Sequence, residues 1–245
     1  MKWLERAVRN LVVRSVNASG VLLLQRVPIA LRNNRSDFLA LRRHWVAGKP
    51  KGNDLDMVRL AFLATNIAAL EAAGVPGAFA ELGVWRGNSA KVIHSLAPGR
   101  DLYLLDTFQG FPAEHSDDDP VSGISHHYQD VSVDTVRAFV GRSERIHFVV
   151  GCFPDSAGSI PFEERFAFVH IDCDLYRSVR AGLEYFYPRM SPKGLIVVHD
   201  YGSGRWPGVT KAVNEYLSDK PETPVLIPDT SGSAAIVRQM HGSPV

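Results

Sequence analysis

The chain has 245 residues, of which 45% are hydrophobic and 22% charged, with two cysteines and a net charge of +1. That balance supports a sizeable core and excludes global disorder. Two cysteines cannot make a disulfide framework in a chain of this size, and the absence of an uncharged apolar run of about 18 residues gives no reason to expect a membrane-spanning helix.

Cys152 and Cys173 lie beside apolar runs and read as small buried hydrophobes, which fits a reducing, cytoplasmic setting. The small net charge hides an asymmetry. Residues 1–51 hold 11 Lys/Arg against 2 Asp/Glu, and the remainder 16 against 24. The chain therefore divides into a basic arm, 1–51, and an acidic body, 52–245. Within the arm, Leu4, Ala7, Val8, Leu11 and Val12 recur at helical spacing among basic residues. Arg32, Arg35, Arg42, Arg43, Lys49 and Lys51 add charge. Such an arm can pack on its own domain, join a partner subunit in a homo-oligomer, or attach peripherally to an anionic membrane surface. No nucleic-acid motif accompanies it, and the body is acidic, so nucleic-acid binding is not expected.

After a turn-rich boundary at 49–54, a helix is expected over 55–73, closed by Gly74 and Pro76. Strand and helix then alternate. Strands are expected at 78–82, 101–106, 146–151, 166–172 and 194–200. Helices are expected at 88–96, 133–140, 177–187 and 209–217. The tail, 224–238, reads as a hairpin around a glycine-containing turn. Five β/α units imply an α/β fold, a mostly parallel sheet with helices on both faces and an antiparallel strand added by the hairpin. Residues 107–130 form a long polar loop with Phe111, Asp117, Asp118, Asp119, His126 and His127, of a length often used as a lid.

The acids sit where such sheets bind ligands, at the carboxyl ends of strands. Asp172 and Asp174 end one apolar run; His199 and Asp200 end another. Asp106 ends the second strand, 25 residues after Glu81, where a carboxylate can accept hydrogen bonds from a ribose diol; Thr107 follows it. Gly151 and Phe153, after the third strand, can flank an adenine. Glu81-Leu-Gly-Val-Trp-Arg-Gly87-Asn-Ser89 closes the first strand and opens a helix with free N–H groups. Its glycines, Gly83 and Gly87, are four apart, which is not the G-x-G-x-x-G dinucleotide pattern.

Taken together, these motifs resemble the class I S-adenosylmethionine-dependent methyltransferases. More narrowly, Leu105-Asp-Thr-Phe-Gln-Gly-Phe-Pro112, Ile171-Asp-Cys-Asp-Leu-Tyr-Arg-Ser178 and Val198-His-Asp-Tyr-Gly202 resemble the macrocin O-methyltransferase family, whose members methylate sugar hydroxyls. The resemblance covers about residues 55–240. It implies a Rossmann-like seven-stranded sheet with an antiparallel last strand. It also implies S-adenosyl-L-methionine as cofactor, with Glu81, Gly83, Gly87 and Ser89 along its methionine part and Asp106 on its ribose, and a sugar of a glycoside, glycolipid or nucleotide sugar as acceptor.

A sugar alcohol is a poor nucleophile while protonated. A bound Mg²⁺ can orient a diol and lower a hydroxyl pKa, and a carboxylate or histidine can take the proton. Asp172 and Asp200 suit Mg²⁺, and Asp172 also lies near the cofactor. Asp174 can serve as third ligand or base. One place departs from the family pattern: His199-Asp200-Tyr201 stands where those enzymes resemble Asp-Asp-Tyr. A histidine ligand suits Mn²⁺ or Zn²⁺ better than Mg²⁺, so His199 reads either as a metal ligand or as a general base. His170, inside a strand, reads as a core or helix-facing residue. Tyr201 and Trp206 can stack on a sugar, or fill the core. Two other readings remain: a metal-independent enzyme using His199 or Asp174 on a phenol, and a non-catalytic cofactor-binding subunit of a membrane complex.

Overall fold

The sheet grows outward from its first strand. A computed structural model describes residues 35–48, 56–111 and 128–239. In chain order these give α1 (Arg35–Trp45), α2 (Met57–Ala72), β1 (Ala78–Leu82), α3 (Asn88–Leu96), β2 (Leu102–Asp106), α4 (Val133–Val140) and β3 (Ile146–Val150). Then come β4 (Phe166–Ile171), α5 (Tyr176–Phe186), β5 (Met190–Val198), α6 (Pro207–Leu217), β6 (Val225–Leu226) and β7 (Ala234–Val237). The spatial order is β3-β2-β1-β4-β5-β7-β6. The first five strands are parallel, and β7 runs antiparallel to both β5 and β6. This is the expected Rossmann-like α/β sheet with its antiparallel end.

Every residue of β1 and β4 is buried, as in a parallel strand covered on both faces. Alternation sorts their side chains. Ala78, Ala80, Leu82, Phe166, Val169 and Ile171 join the core shared with α5 and α6. Phe79, Glu81, Phe168 and His170 take the opposite face. Two expected boundaries moved. β5 begins at Met190 because Met190 pairs with Phe166, and the strand continues past an exposed kink at Pro192 and Lys193, where Lys193 has φ +66°. α6 begins at Pro207, which is preset for the first turn of a helix. The remaining expected elements differ by one or two residues at their ends, and the strands of the tail hairpin are shorter than its 224–238 span.

The described residues from Ser36 onward belong to one compact unit; the boundary expected at 51/52 falls in residues outside the description. α1 is tied to the body: the Asn88 side chain donates to the carbonyls of His44 (2.8 Å) and Ala47 (3.0 Å). The expected helix at 3–13, Arg32, Lys49, Lys51 and loop residues 112–127, including the acidic triplet and the paired histidines, lie outside the described residues. Among the described residues, no helix is long and apolar enough to cross a membrane. Cys152 and Cys173 are free and half-buried rather than buried.

The chain runs β1, β2, β3 outward, then returns to lay β4 on the other side of β1. The crevice between β1 and β4 is thus the switch point where such sheets bind ligands. Gly83 sets how tightly it closes. Its φ is +88°, and a Cβ there would lie 2.0 Å from the Asp172 carbonyl oxygen. Gly83→Ala should therefore cost on the order of 3 kcal/mol, from strain and backbone clash together. Gly99→Ala, where a Cβ meets open space, should stay within about 0.5 kcal/mol of the parent. Urea denaturation of both variants checks the contrast.

Candidate active site

Parallel register brings the two acidic strand ends together. Ile171 pairs with Val198, and the His199 N–H donates to the Ile171 carbonyl at 2.9 Å. Asp172 and His199 therefore leave adjacent strands side by side. Beyond them, Asp174 and Asp200 take φ of +61° and +60°, a left-handed conformation that Asp tolerates better than most residues. Both turn back into a cavity of about 420 Å³ at the carboxyl end of the sheet, lined among others by Gly83, Asp106, Gly151, Asp172, His199 and Asp200.

At its centre, His199 Nδ1 lies 2.9 Å from Asp172 Oδ1 and 2.6 Å from Asp200 Oδ2. Neither contact has hydrogen-bond geometry, and both ring nitrogens are buried without a hydrogen-bond partner. One donor atom from each of Asp172, His199 and Asp200 falls within a sphere of mutual distances below 4.8 Å. Burial and Arg59 push the imidazole pKa down, but the two carboxylates outweigh them and raise it to about 10. Conversely, burial works against the Asp172 charge, yet His199 and Arg59 hold its carboxyl well below the usual range. Asp174 goes the other way. Burial, then Asp172 and Asp200, raise it well above an ordinary carboxyl, and it is hydrogen-bonded to Asp200. Two acids sharing a buried site cannot both ionise cheaply.

The opposite side of the cavity is organised by Asp106. Its Oδ2 accepts from the Val84 N–H (2.7 Å) and the Trp85 N–H (2.9 Å), and its Oδ1 from the Phe108 N–H (2.7 Å). The carboxylate thus fixes the glycine turn after β1 and still has acceptor capacity on Oδ1. Thr107 lines the cavity, with its hydroxyl donating to the Gly110 carbonyl. Ser89 and Phe153 line it too, Phe153 stacked on Phe186 at 5.8 Å.

Two expected residues are placed elsewhere. Glu81 is wholly buried and does not line the cavity. The alternation of β1 turns it to the α2/α3 face, where its carboxylate meets His170 Nδ1 at 2.7 Å and the Ser89 hydroxyl. Gly87 caps α3 with φ +79°, and a Cβ there would press on Val136 and Val140 of α4; it makes room for a helix. His170 is buried as expected. Tyr201 is turned away, its hydroxyl donating to Asn214, while Trp206 lines the cavity although only 2% exposed.

Sequence reasoning missed Arg59 and Trp45. Arg59 is 7% exposed and lines the cavity. Its Nη1 donates to Asp172 Oδ2 at 3.1 Å, its Nε lies 2.9 Å from Asp56 Oδ2, and its guanidinium sits 4.9 Å from the Trp45 ring centre. The signal was there: Arg59, Leu63, Ile67 and Leu70 share one buried stripe of α2, and a cation in an apolar stripe needs an anionic partner.

A family model described as Macrocin-O-methyltransferase (TylF) matches residues 29–232. The chain belongs to this family. It is 33% identical over 159 residues to the mycinamicin III 3''-O-methyltransferase of Micromonospora griseorubida, a match covering 58% of this chain and 61% of that protein. It is 31% identical over 157 residues to the 8-demethyl-8-(2,3-dimethoxy-alpha-L-rhamnosyl)-tetracenomycin-C 4'-O-methyltransferase of Streptomyces olivaceus, covering 58% and 60%. The chain thus spans about 60% of the length of these curated relatives. Among solved structures, the O-methyltransferase NovP superposes with a TM-score of 0.71 at 22% identity, over 84% of this chain and 99% of that one. The S-adenosylhomocysteine-bound methyltransferase PaMTH1 of Podospora anserina gives 0.57 at 12%, over 89% and 100%. Both neighbours show the same fold.

Arg59→Met should destabilise the protein by about 3 kcal/mol, because it leaves the buried Asp56 carboxylate and the half-buried Asp172 carboxylate without their cation. Arg59→Lys, which keeps the charge, should lose less. Chemical denaturation at pH 7 measures both.

Proposed function

We propose that this chain is an S-adenosylmethionine-dependent O-methyltransferase acting on a sugar hydroxyl of a natural-product glycoside, with a divalent cation held by Asp172, His199 and Asp200. The observation that carries the reading is the convergence of those three side chains beside a cavity built on Asp106 and Gly83. Family membership and the sugar-methylating relatives support the acceptor class.

The residues fit both absent groups. Asp106 holds the turn with backbone donors and keeps room on Oδ1 for a ribose hydroxyl. For the cation, two carboxylates and a buried imidazole whose nitrogens lack hydrogen-bond partners offer a mixed oxygen and nitrogen donor set. When bound, such an ion lowers the pKa of an acceptor hydroxyl and orients it. The protein's own residues do the rest. Arg59 pins one oxygen of Asp172, so the other stays directed at His199. Gly83 lets the cofactor turn close against β4.

The metal-independent reading is weaker on electrostatic grounds. A general base must be unprotonated at the working pH, and a His199 held near pKa 10 already carries its proton at neutrality. Asp174 is buried and crowded by Asp172 and Asp200, which pushes its carboxyl well above the ordinary range and sets it against the ionised form a base must start from.

Calorimetry should show S-adenosylhomocysteine binding to the wild type. Asp172→Asn should abolish methyl transfer to a sugar acceptor while leaving that affinity within about threefold. Failure of the wild type to bind S-adenosylhomocysteine, with or without Mg²⁺ or Mn²⁺, would overturn the reading.

The histidine also dictates a pH dependence. Its raised pKa means that the cation must displace a proton, so affinity should climb about tenfold per pH unit toward pH 10. Titrating Mn²⁺ at pH 7.5 in buffers of different ionisation enthalpy should report release of about one proton. His199→Asp should reduce that release and flatten the pH slope.

A further inference from the structure

Past its acids the cavity is walled by the loop between β6 and β7. β7 runs antiparallel to β5, and Ala234 pairs with Val198. The residues just before Ala234 therefore emerge at the sheet end that carries Asp172, His199 and Asp200. Two of them, Thr230 and Ser231, line the cavity. Along the sheet, Asp106 and Gly151 lie on the β1 to β3 side of the acids, and this loop lies on the other.

The chemistry above uses neither Thr230 nor Ser231, yet their backbone is held from several directions. The Ile227 N–H donates to the Ser233 carbonyl at 2.7 Å and closes the loop, and the Gly202 N–H donates to the Gly232 carbonyl at 2.7 Å. The Ser233 N–H donates to Asp229 Oδ1 at 2.8 Å, and the Thr230 N–H to Asp56 Oδ1 at 3.4 Å. Two of these bonds reach the acid cluster. Gly202 stands two residues after Asp200, and a Cβ on Gly232 would lie 3.1 Å from its Cα. Asp56 is ion-paired with Arg59, which donates to Asp172. The loop is thus tied to both acid-bearing strand ends.

Its hydroxyls are a different matter. The neighbouring Ser203 hydroxyl is occupied, accepting from the Arg205 N–H at 3.2 Å and the Trp206 N–H at 3.4 Å. Arg59 is divided between Asp56 and Asp172. Among the described residues, the Thr230 and Ser231 hydroxyls make no hydrogen bond. A loop whose backbone is fixed and whose hydroxyls are unspent binds a polar ligand with little ordering cost. Arg205 lines the same cavity, with its guanidinium 5.5 Å from the Trp206 ring centre, but it offers donors only. A Ser or Thr hydroxyl both donates and accepts, as a sugar hydroxyl does, so the two match in either direction of the bond.

Methyl transfer from a sulfonium is an in-line displacement, so the acceptor oxygen approaches the methyl from the side away from the sulfur. With the cofactor over Asp106 and the reacting hydroxyl at the acids, the rest of the sugar ring extends toward the β6–β7 loop. We propose that Thr230 and Ser231 are specificity-determining residues whose hydroxyls bond a ring hydroxyl adjacent to the one that is methylated. This rests on the methyltransferase reading of the same cavity.

Methyl glycosides of rhamnose, glucose and galactose test it, each beside the monodeoxy sugars that lack one ring hydroxyl. The measurement is kcat/KM for methyl transfer at saturating S-adenosylmethionine and Mn²⁺. One such hydrogen bond contributes about tenfold in affinity. For at least one methylated sugar, Thr230→Val combined with Ser231→Ala should therefore lower kcat/KM at least tenfold, through KM. For one of its deoxy counterparts the same double substitution should cost threefold or less, since the partner hydroxyl is already gone. Affinity for S-adenosylhomocysteine, measured first, reports that the fold and the cofactor side are intact; if the double variant loses it, the two single substitutions take its place in the same comparison. An equal loss for a sugar and all its deoxy counterparts, a loss carried by kcat alone, no loss for any sugar, or methylation of no sugar by a wild type that binds S-adenosylhomocysteine would overturn the inference. Failure of the wild type to bind S-adenosylhomocysteine would instead overturn the methyltransferase reading.

Discussion

Everything at this site follows from placing His199 between two carboxylates at the ends of neighbouring parallel strands. An imidazole removed from water ordinarily gives up its proton, since burial disfavours the charged form. Here Asp172 and Asp200 reverse that preference. The acids in turn need the histidine. Asp172 divides its two oxygens between His199 and Arg59, and burial with the remaining repulsion pushes the Asp174 carboxyl well above the ordinary range. A buried cluster of acids is costly unless each charge is paired or neutralised. Here the pairing partners are the His199 imidazole and the Arg59 guanidinium, and withdrawing either leaves a carboxylate without its partner.

The fold holds this arrangement in place through backbone rather than side-chain packing alone. The Asp172 N–H donates to the Leu82 carbonyl at 2.8 Å, and the Gly83 N–H to the Leu105 carbonyl at 2.9 Å. The ends of β1, β2 and β4 are thus cross-linked just beneath the cavity. Asp106 then gathers three backbone N–H groups from the segments above them. The residue read from sequence as a candidate ribose acceptor is therefore the clamp that shapes the glycine turn after β1. The two roles are compatible because a carboxylate has more acceptor sites than the turn consumes.

The sheet was legible because alternating apolar runs and helical stripes carry strong periodic signals, and because parallel strands announce their ends with the first charge after an apolar run. Asp106 and Asp172 are such first charges, His199 and Asp200 are the pair that follows Val198, and all four line the cavity. Glu81 was misplaced for the same reason that it was noticed. It is an acid near a strand end, but it lies inside β1, where alternation decides the face and its partner is the cross-strand neighbour His170. Gly87 was misplaced because a positive φ looks the same whether the space it opens serves a ligand or a helix. Arg59 was passed over because the acids near it in sequence, Asp54 and Asp56, gave no hint of its second partner, which is 113 residues away. Spacing along the chain cannot express such a contact; only the return of β4 beside β1 creates it.

The histidine at 199 also sets the character of the proposed cation site. An aspartate there, as the family resemblance implies, would surround a dication with three carboxylates and leave the cluster net negative. With a neutral imidazole, two carboxylates balance a dication, which suits a low-dielectric cavity where residual charge is penalised. The exchange has a cost in strength: one oxygen anion is lost, and the imidazole must first shed a proton that Asp172 and Asp200 hold tightly. It also changes preference, because nitrogen donors favour later first-row ions over Mg²⁺. Arg59 pushes in the same direction, since a fixed positive charge on Asp172 Oδ2 weakens that carboxylate toward any cation on Oδ1. For the proposed cation site, three features from distant parts of the chain thus point the same way: weaker binding, and of a softer ion, than a triple-aspartate cluster would give.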